Sequence, residues 1–261
     1  MNTLLIITVL VVVFALAFDF INGFHDTANA IATSVSTRAL PPRVAVLMAA
    51  IMNFVGAITF VGVAKAIASD IVDPFALSTP ETPLIGSVVI LAALLSAITW
   101  NLVTWYFGIP SSSSHTLIGS LAGAAIAAAG FGILNYAGFT KILIALLASP
   151  IIAICVGYIM MQLMRVVFKN TNLYKTNKSF RIVQIFTAAI QSFTHGTNDA
   201  QKAMGIITMA LIAANWQTTD EVQGWVRFAC ALAMGLGTSI GGYKIIKTVG
   251  GKIMKIRPVN G

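Results

Sequence analysis

Long apolar runs alternate with short polar stretches along the chain, and this pattern predicts helices that cross a membrane. Apolar runs such as 4–18, 44–64 and 142–163 contain almost no charge, and a membrane-spanning helix needs about 20 mostly apolar residues. The pattern predicts spans at 3–22, 44–64, 84–107, 116–130, 141–164, 182–214 (interrupted in the middle) and 225–243. The expected fold is therefore an all-α polytopic membrane protein.

The composition supports a membrane protein, and the distribution of charge predicts its orientation. The chain is 57% hydrophobic and 9% charged, whereas soluble domains contain about 25% charged residues, which excludes a disordered chain and argues against a soluble enzyme. The net charge of +8 would suggest nucleic-acid binding in a soluble protein. Here most basic residues fall in alternate connections, which the positive-inside rule assigns to the cytoplasm. We therefore expect a multi-pass protein of the cell membrane, with the lipid bilayer as a partner and without nucleic acid.

The charged residues that give this orientation form two groups. The cytoplasmic group consists of Arg38, Arg43, Arg165, Lys169, Lys175, Lys178, Arg181, Lys244, Lys247, Lys252, Lys255 and Arg257. The connections expected outside carry Asp70, Asp73, Glu81, Asp220 and Glu221.

Two polar segments inside the apolar chain resemble each other at an offset of 173 residues. Residues 20–30 share Phe, Gly, Asp and Ala with residues 193–203, and the charge rule gives the two segments opposite directions across the membrane. This combination predicts the inverted-topology repeat of a secondary transporter, with broken helices. The predicted division is a first repeat at 1–140, a connecting span with a basic loop at 141–181, and an incomplete second repeat at 182–261.

Asp26 and Asp199 occupy matching positions in these two segments. A charge in the bilayer centre costs at least about 2.5–3.5 kcal/mol, so intramembrane carboxylates indicate function. Gly23 and Gly196 open the two polar stretches and predict a break in each helix, where freed carbonyls with Asp and Asn oxygens suit Na⁺ or a proton. Asp19 has no counterpart in the second segment, and both a structural and a functional role remain open for it.

A third polar stretch, Ser111–Thr116, follows Pro110 and opens an apolar helix. Proline before a helix start, followed by hydroxyl residues, marks a helix N-terminus. Helix N-termini bind anions through unpaired N–H groups and the positive end of the dipole. At the tip of a re-entrant hairpin at 110–116, this stretch predicts an anion site. Gly119 and Gly123 further along predict close packing against a neighbouring helix.

An anion site beside carboxylates favours phosphate among the oxyanions. Sulfate is fully ionised and would be repelled by Asp, whereas phosphate near neutral pH keeps a P–OH that can donate to a carboxylate. A transporter of another oxyanion such as sulfate remains the alternative. An intramembrane hydrolase built on Ser113 or Ser114 is disfavoured because the chain lacks a Gly-x-Ser-x-Gly elbow.

Three segments, 22–33, 105–119 and 192–202, resemble the signatures of the inorganic phosphate transporter (PiT) family, closest to its bacterial low-affinity branch. The resemblance covers nearly the whole chain, and the three motifs occur in the family's order. It implies a transporter rather than an enzyme, which imports phosphate by symport with H⁺ or Na⁺. It implies no resident cofactor or metal site, although a divalent metal can accompany phosphate as substrate. A homo-oligomer is left open.

The resemblance also assigns site residues. It implies phosphate binding by Ser112, Ser113, Ser114, Asp26, Asp199 and Gln201. It implies coupling-ion binding by Asp26, Asn29, Asn198, Asp199 and His25. His25 stands where many relatives have Asn, which favours proton coupling. Lys202 has two open roles, direct contact with phosphate or neutralisation of Asp199 one turn away.

The family pattern includes a second Ser/Thr-rich hairpin tip that this sequence does not contain. In the first repeat His115 follows Asp26 by 89 residues. The same spacing counted from Asp199 ends beyond Gly261. The expectation is a form truncated at the C-terminus, or one whose remainder comes from a second polypeptide.

We expect this chain alone not to transport phosphate, because one of the two hairpin tips that face the substrate in the family pattern is missing. The measurement is uptake of radiolabelled phosphate by liposomes that contain the chain, beside liposomes that contain a version extended by the missing hairpin. Equal uptake by both preparations would contradict the expectation.

Overall fold

The structure is a computed structural model that describes residues 3–60, 84–253 and 256–258, and all regular structure in these ranges is helical. The helices are α1 (Thr3–Ser36), α2 (Pro42–Thr59), α3 (Ile85–Phe107), α4 (Ser113–Ala129), α5 (Tyr136–Val167), α6 (Leu173–Ala213), α7 (Gly224–Ile240) and α8 (Tyr243–Lys247). A short 3₁₀ turn, Phe131–Ile133, precedes α5, and a π-helical turn, Thr248–Ile253, follows α8. The acidic connection with Asp70, Asp73 and Glu81 lies outside the described residues.

The predicted all-α membrane architecture is confirmed. By length and composition α1, α2, α3 and α5 can each cross a membrane, and α7 with the segment Tyr243–Gly251 forms a fifth candidate that is bent by 52°. The predicted span 182–214 falls in α6 except for its last residue, and this helix is long enough but is not among these candidates. Its sequence carries Gln, His, Asn, Asp and Lys side chains along much of its length, so it needs protein neighbours to cover its polar surface.

The helices do not break at Gly23 and Gly196, so that part of the sequence prediction is wrong. α1 and α6 run continuously through these positions. The break in the described chain lies instead between α7 and α8, where Gly241 has a φ of 72° that only glycine adopts readily. Gly23 and Gly196 serve a different purpose, which is the close approach of two helix backbones.

α1 and α7 cross at a pair of glycines. A methyl group on Gly23 would overlap the carbonyl oxygen of Met234, and one on Gly237 would overlap the carbonyl oxygen of Phe20. The backbones are close enough for the Thr238 hydroxyl in α7 to donate a hydrogen bond of 3.2 Å to the Gly23 carbonyl. Small residues permit such close crossings in membrane proteins.

α2 and α6 cross in the same manner. A methyl group on Gly56 would overlap the carbonyl oxygen of Phe193, and one on Gly196 would overlap that of Asn53. Phe193 and Gly196 of α6 follow Phe20 and Gly23 of α1 by 173 residues, and Phe20 and Gly23 form the α1 side of its own crossing. The same glycine contact is therefore built once in each half of the chain.

α1 and α6 pack side by side in opposite directions, as the inverted repeat predicts. Asn22 in α1 donates to Asp199 in α6 at 3.1 Å, whereas Ser34, further along α1, donates to the backbone of Gln184, which lies earlier in α6, at 3.2 Å. A later position on one helix thus meets an earlier position on the other. The boundaries 1–140, 141–181 and 182–261 remain a prediction.

α3 and α4 form the predicted hairpin. α3 ends at Gly108, whose φ of 67° gives the left-handed cap that turns the chain. Ser112 then caps α4, and the two helices remain paired further along, where Ser120 donates to Ser96 at 3.2 Å. The hairpin tip places Ser111 beside α1 and Ser113 between α1 and α6.

Two surfaces remain open in the described chain. α5 buries only Gly138, so its long apolar surface suits the lipid bilayer. Methyl groups on Gly119 and Gly123 of α4 would meet no atom within 4 Å. The predicted close packing at this glycine pair is therefore wrong among the described residues, because α4 turns this side away from its neighbours.

Gly237→Val is expected to lower the thermal stability of the protein, because the added side chain must separate α1 from α7. Overpacking of this kind costs about 1–3 kcal/mol. The measurement is thermal unfolding in detergent, followed by intrinsic fluorescence. Gly119→Val is the matched control, since its site is open, and an equal loss in both variants would contradict the crossing.

Candidate functional site

The two matching carboxylates meet at a single serine. The Ser113 hydroxyl, in the first turn of α4, lies 2.8 Å from Oδ2 of Asp26 in α1 and 3.4 Å from Oδ2 of Asp199 in α6. Ser113 and Asp26 are buried, and Asp199 keeps 15% of its side chain exposed. One hydroxyl of the hairpin tip therefore joins the two repeat helices.

The neighbouring serines of the tip differ in exposure and contacts. Ser112 is exposed and caps α4, with its Oγ 3.4 Å from the backbone N of His115 and 2.8 Å from that residue's ring Nδ1. Ser114 is half-buried. The unpaired N–H groups of this first turn and the hydroxyls provide donors for an anion.

On the α1 side, His25 links Asp26 to the hairpin. Its Nδ1 lies 2.7 Å from Asp26 Oδ1, and its Nε2 lies 2.9 Å from the Thr104 hydroxyl and 3.4 Å from that of Ser111. A neutral ring that donates from Nδ1 to the carboxylate receives a hydrogen bond at Nε2 from one of these hydroxyls. The orientation of Asp26 therefore depends on α3 and on the hairpin tip.

On the α6 side, Asp199 is surrounded by donors. Lys202 forms an ion pair with its Oδ1 at 3.0 Å, while Asn22 donates to its Oδ2 at 3.1 Å and His195 Nε2 lies 3.4 Å from the same oxygen. The other nitrogen of His195 lies 3.0 Å from the side-chain oxygen of Asn53 in α2. These contacts surround the carboxyl group of Asp199 with donors close to Asp26.

Asp26, His195 and Asp199 also form a cluster that can hold a cation. One ligand atom from each lies within 4.8 Å of the others. Carboxylate oxygens suit hard cations, and an imidazole extends the donor set to transition metals. The site therefore offers anion donors on the hairpin and cation ligands on the two repeat helices.

The other residues assigned from the sequence differ in their relation to this network. Asn29 and Asn198 are exposed and have no hydrogen bond to the cluster within the described part of the chain. Gln201 is buried, and its amide donates to the Thr197 carbonyl of its own helix at 2.7 Å. Lys202 faces Asp199, which is one of the two arrangements left open by the sequence.

Several residues of the network were not assigned from the sequence. They are Asn22, Asn53, Thr104 and His195. A signal existed for two of them, because Asn22 and His195 each stand one helical turn before a key aspartate and match at the offset of 173 residues. Thr104 and Asn53 carry no local signal, since only the packing of α3 and α2 brings them to the site.

The fold and this site define a class of protein before any comparison is made. Paired membrane helices of opposite direction with a re-entrant hairpin and a polar cluster at their meeting point are the build of a secondary transporter. Comparison with known proteins gives the family. The chain belongs to the phosphate transporter family, whose sequence profile matches residues 22–261. It is accordingly a transporter and not an enzyme, so the hydrolase alternative falls away.

Named relatives agree with this assignment. A probable low-affinity inorganic phosphate transporter of Bacillus subtilis is 70% identical over 262 residues, which cover 100% of this chain and 77% of that protein. A similarly named protein of Mycobacterium leprae is 42% identical, with 100% of this chain and 62% of that protein covered. The low-affinity inorganic phosphate transporter PitB of Escherichia coli is 36% identical over 79% of this chain and 46% of its own length.

A solved structure supports the fold. It is titled a sodium-dependent phosphate transporter and superposes with a TM-score of 0.79 over 97% of this chain and 80% of its own chain. The sequence identity is 22%, so this likeness concerns the arrangement of helices.

Lys202→Met is expected to destabilise the protein, because it leaves Asp199 with a partly buried charge and without its cation. Breaking such a pair costs about 3 kcal/mol or more. Thermal unfolding of the purified protein measures the effect. The double variant Lys202→Met with Asp199→Asn should recover most of the loss, and equal instability of the single and double variants would show that the pair is not coupled.

Proposed function

We propose that this chain binds inorganic phosphate between the N-terminus of α4 and the two aspartates, and that the phosphate crosses the membrane by symport with a cation. The observation that carries the proposal is the Ser113 hydroxyl, which lies within 3.4 Å of both Asp26 and Asp199. A phosphate at this point meets donors from the hairpin and acceptors from both repeat helices.

The mixture of donors and carboxylates supports phosphate over sulfate. A monoprotonated or diprotonated phosphate donates its P–OH to Asp26 in place of Ser113, or to Asp199, while its other oxygens accept from the released Ser113 hydroxyl and from the first turn of α4. Sulfate has no proton to donate at neutral pH, so it meets the same carboxylates as like charges. Lys202 already pairs with Asp199 at 3.0 Å, and it balances part of the negative charge of the site.

The coupling cation is proposed to be H⁺ or Na⁺. The cluster of Asp26, His195 and Asp199 supports this proposal, since its ligand atoms lie within 4.8 Å of one another. The same three side chains suit a divalent metal that enters as part of a metal–phosphate substrate. No resident cofactor is needed for this transport.

The membrane is proposed to be the cell membrane, with the connection between α5 and α6 on the cytoplasmic side. Arg165 lies in the last turn of α5 and Lys169 in the connection. The first turns of α6 add Lys175, Lys178 and Arg181. Positive charge in a short connection favours the cytoplasmic face.

Uptake of radiolabelled phosphate into proteoliposomes tests the function under separately imposed Na⁺ and H⁺ gradients. Because the chain spans 77% of the Bacillus subtilis relative, uptake is measured for the chain alone, which we expect to show none, and for a chimera that adds the C-terminal part of that relative, which we expect to take up phosphate. Arsenate should compete with phosphate, and sulfate should not. Equal competition by sulfate would favour a general oxyanion transporter, and uptake by neither protein would contradict the proposal.

Ser113→Ala is expected to weaken phosphate binding by about 10- to 100-fold, because a hydrogen bond to a charged group contributes about 1.5–3 kcal/mol. Titration calorimetry of the purified protein with phosphate measures the affinity. Ser120→Ala, on the same helix but bonded to Ser96, is the control and should bind as the unaltered chain does. Unchanged affinity in Ser113→Ala would place the phosphate elsewhere.

A further inference from the structure

A third aspartate lies inside the helix bundle, outside the network around Ser113. Asp19 of α1 is 0% exposed, and neither of its carboxylate oxygens has a hydrogen-bond partner among the described residues. Asp26 and Asp199, in contrast, are each held by several donors. A buried carboxylate without partners is strongly unfavourable when ionised, so the surroundings of Asp19 suit its protonated form.

The groups that face Asp19 come from two other helices. From α7 the thiol of Cys230 is directed at it, and from α6 the charged groups near it are Asp199 and Lys202. Cys230 is itself fully buried, so the thiol offers Asp19 little compensation for a charge. Lys202 is close enough to interact electrostatically with Asp19. In this structure its ammonium group is paired with Asp199 at 3.0 Å.

We propose that Asp19 binds the coupling proton of the transport cycle, at a position separate from the phosphate site. The proposal rests on the symport described above and assigns it to H⁺. In the conformation described, Asp19 carries the proton and Lys202 pairs with Asp199. When the helices rearrange and water reaches Asp19 from the opposite side of the membrane, the proton leaves as hydronium and the carboxylate becomes anionic.

Lys202 connects this proton to the phosphate site. An ionised Asp19 attracts the same ammonium that Asp199 holds, so loss of the proton weakens the ion pair at Asp199. Asp199 then lacks its lysine while it faces the phosphate, and the stronger repulsion between the two negative charges favours release of the anion. Binding of a proton at Asp19 restores the ion pair between Lys202 and Asp199 and with it the affinity for phosphate. The proton and the phosphate therefore cross the membrane together.

Two transport assays separate the roles of Asp19 and of the phosphate site. Asp19→Asn mimics the protonated side chain and cannot release a proton. In proteoliposomes it should keep phosphate–phosphate exchange without a gradient and lose accumulation driven by an inward H⁺ gradient. Asp19→Glu should recover part of the gradient-driven accumulation, and Cys230→Ala should behave as the unaltered chain, because it keeps the carboxyl group.

The outcomes distinguish the inference from the proposed function. If Asp19→Asn accumulates phosphate with an unchanged response to the H⁺ gradient, the inference is overturned while the transporter assignment stands. If the unaltered chain and its chimera show neither uptake nor exchange, the proposed function itself fails. Each substitution is also made in the chimera, so that the comparison of a variant with its unaltered parent does not depend on the length of the chain.

Infrared difference spectroscopy of the purified protein tests the protonated carboxyl group without transport. The unaltered chain should show the C=O band of a buried protonated carboxyl group, Asp19→Glu should shift this band, and Asp19→Asn should lack it. Identical spectra of the unaltered chain and Asp19→Asn, or no such band in either, would overturn the inference.

Discussion

The structure depends on two carboxylates from antiparallel helices that share one serine hydroxyl. Asp26 and Asp199 carry the same sign of charge, and they remain close only because each has its own set of donors. His25 serves Asp26, whereas Lys202, Asn22 and His195 serve Asp199. The hairpin tip then needs to place only Ser113 between them. These donors, which include Asn22 of α1 for Asp199 of α6, are therefore what allows the two carboxylates to lie close together.

Close helix crossings make this arrangement geometrically possible. Gly23 and Gly237 bring α7 against α1, and Gly56 and Gly196 bring α2 against α6. Each crossing lies within one helical turn of Asp26 or Asp199. The contact that packs the helices therefore also fixes the position of the carboxylate along the helix axis. Side-chain bonds from α2 and α7, such as Asn53 to Thr238 at 2.9 Å, then tie the two crossings to each other.

Much of this fold could be predicted from the sequence, because apolar length and charge asymmetry act over whole segments. The hairpin and the opposite directions of α1 and α6 follow from such segment properties. The role of Gly23 and Gly196 could not be predicted in this way. A glycine in an apolar helix is compatible with a helix break or with a close helix crossing, and only the position of the partner helix distinguishes the two. Thr104 and Asn53 were missed for a related reason. Each lies in an ordinary apolar helix, and its contact with a histidine exists only after packing.

The position of Lys202 also changes the meaning of the lone aspartate in α1. On the sequence, Asp19 lacks a repeat counterpart and a structural role is as reasonable as a functional one. In the bundle it is fully buried and is approached by the weakly donating thiol of Cys230, while the lysine near it is bound to Asp199. A structural carboxylate would be expected to have captured that ammonium or another donor. An acid that the fold keeps unpaired beside an occupied lysine has the properties required for reversible protonation, and its lack of a counterpart then has a reason, since one proton site is sufficient for a phosphate site that both repeats share.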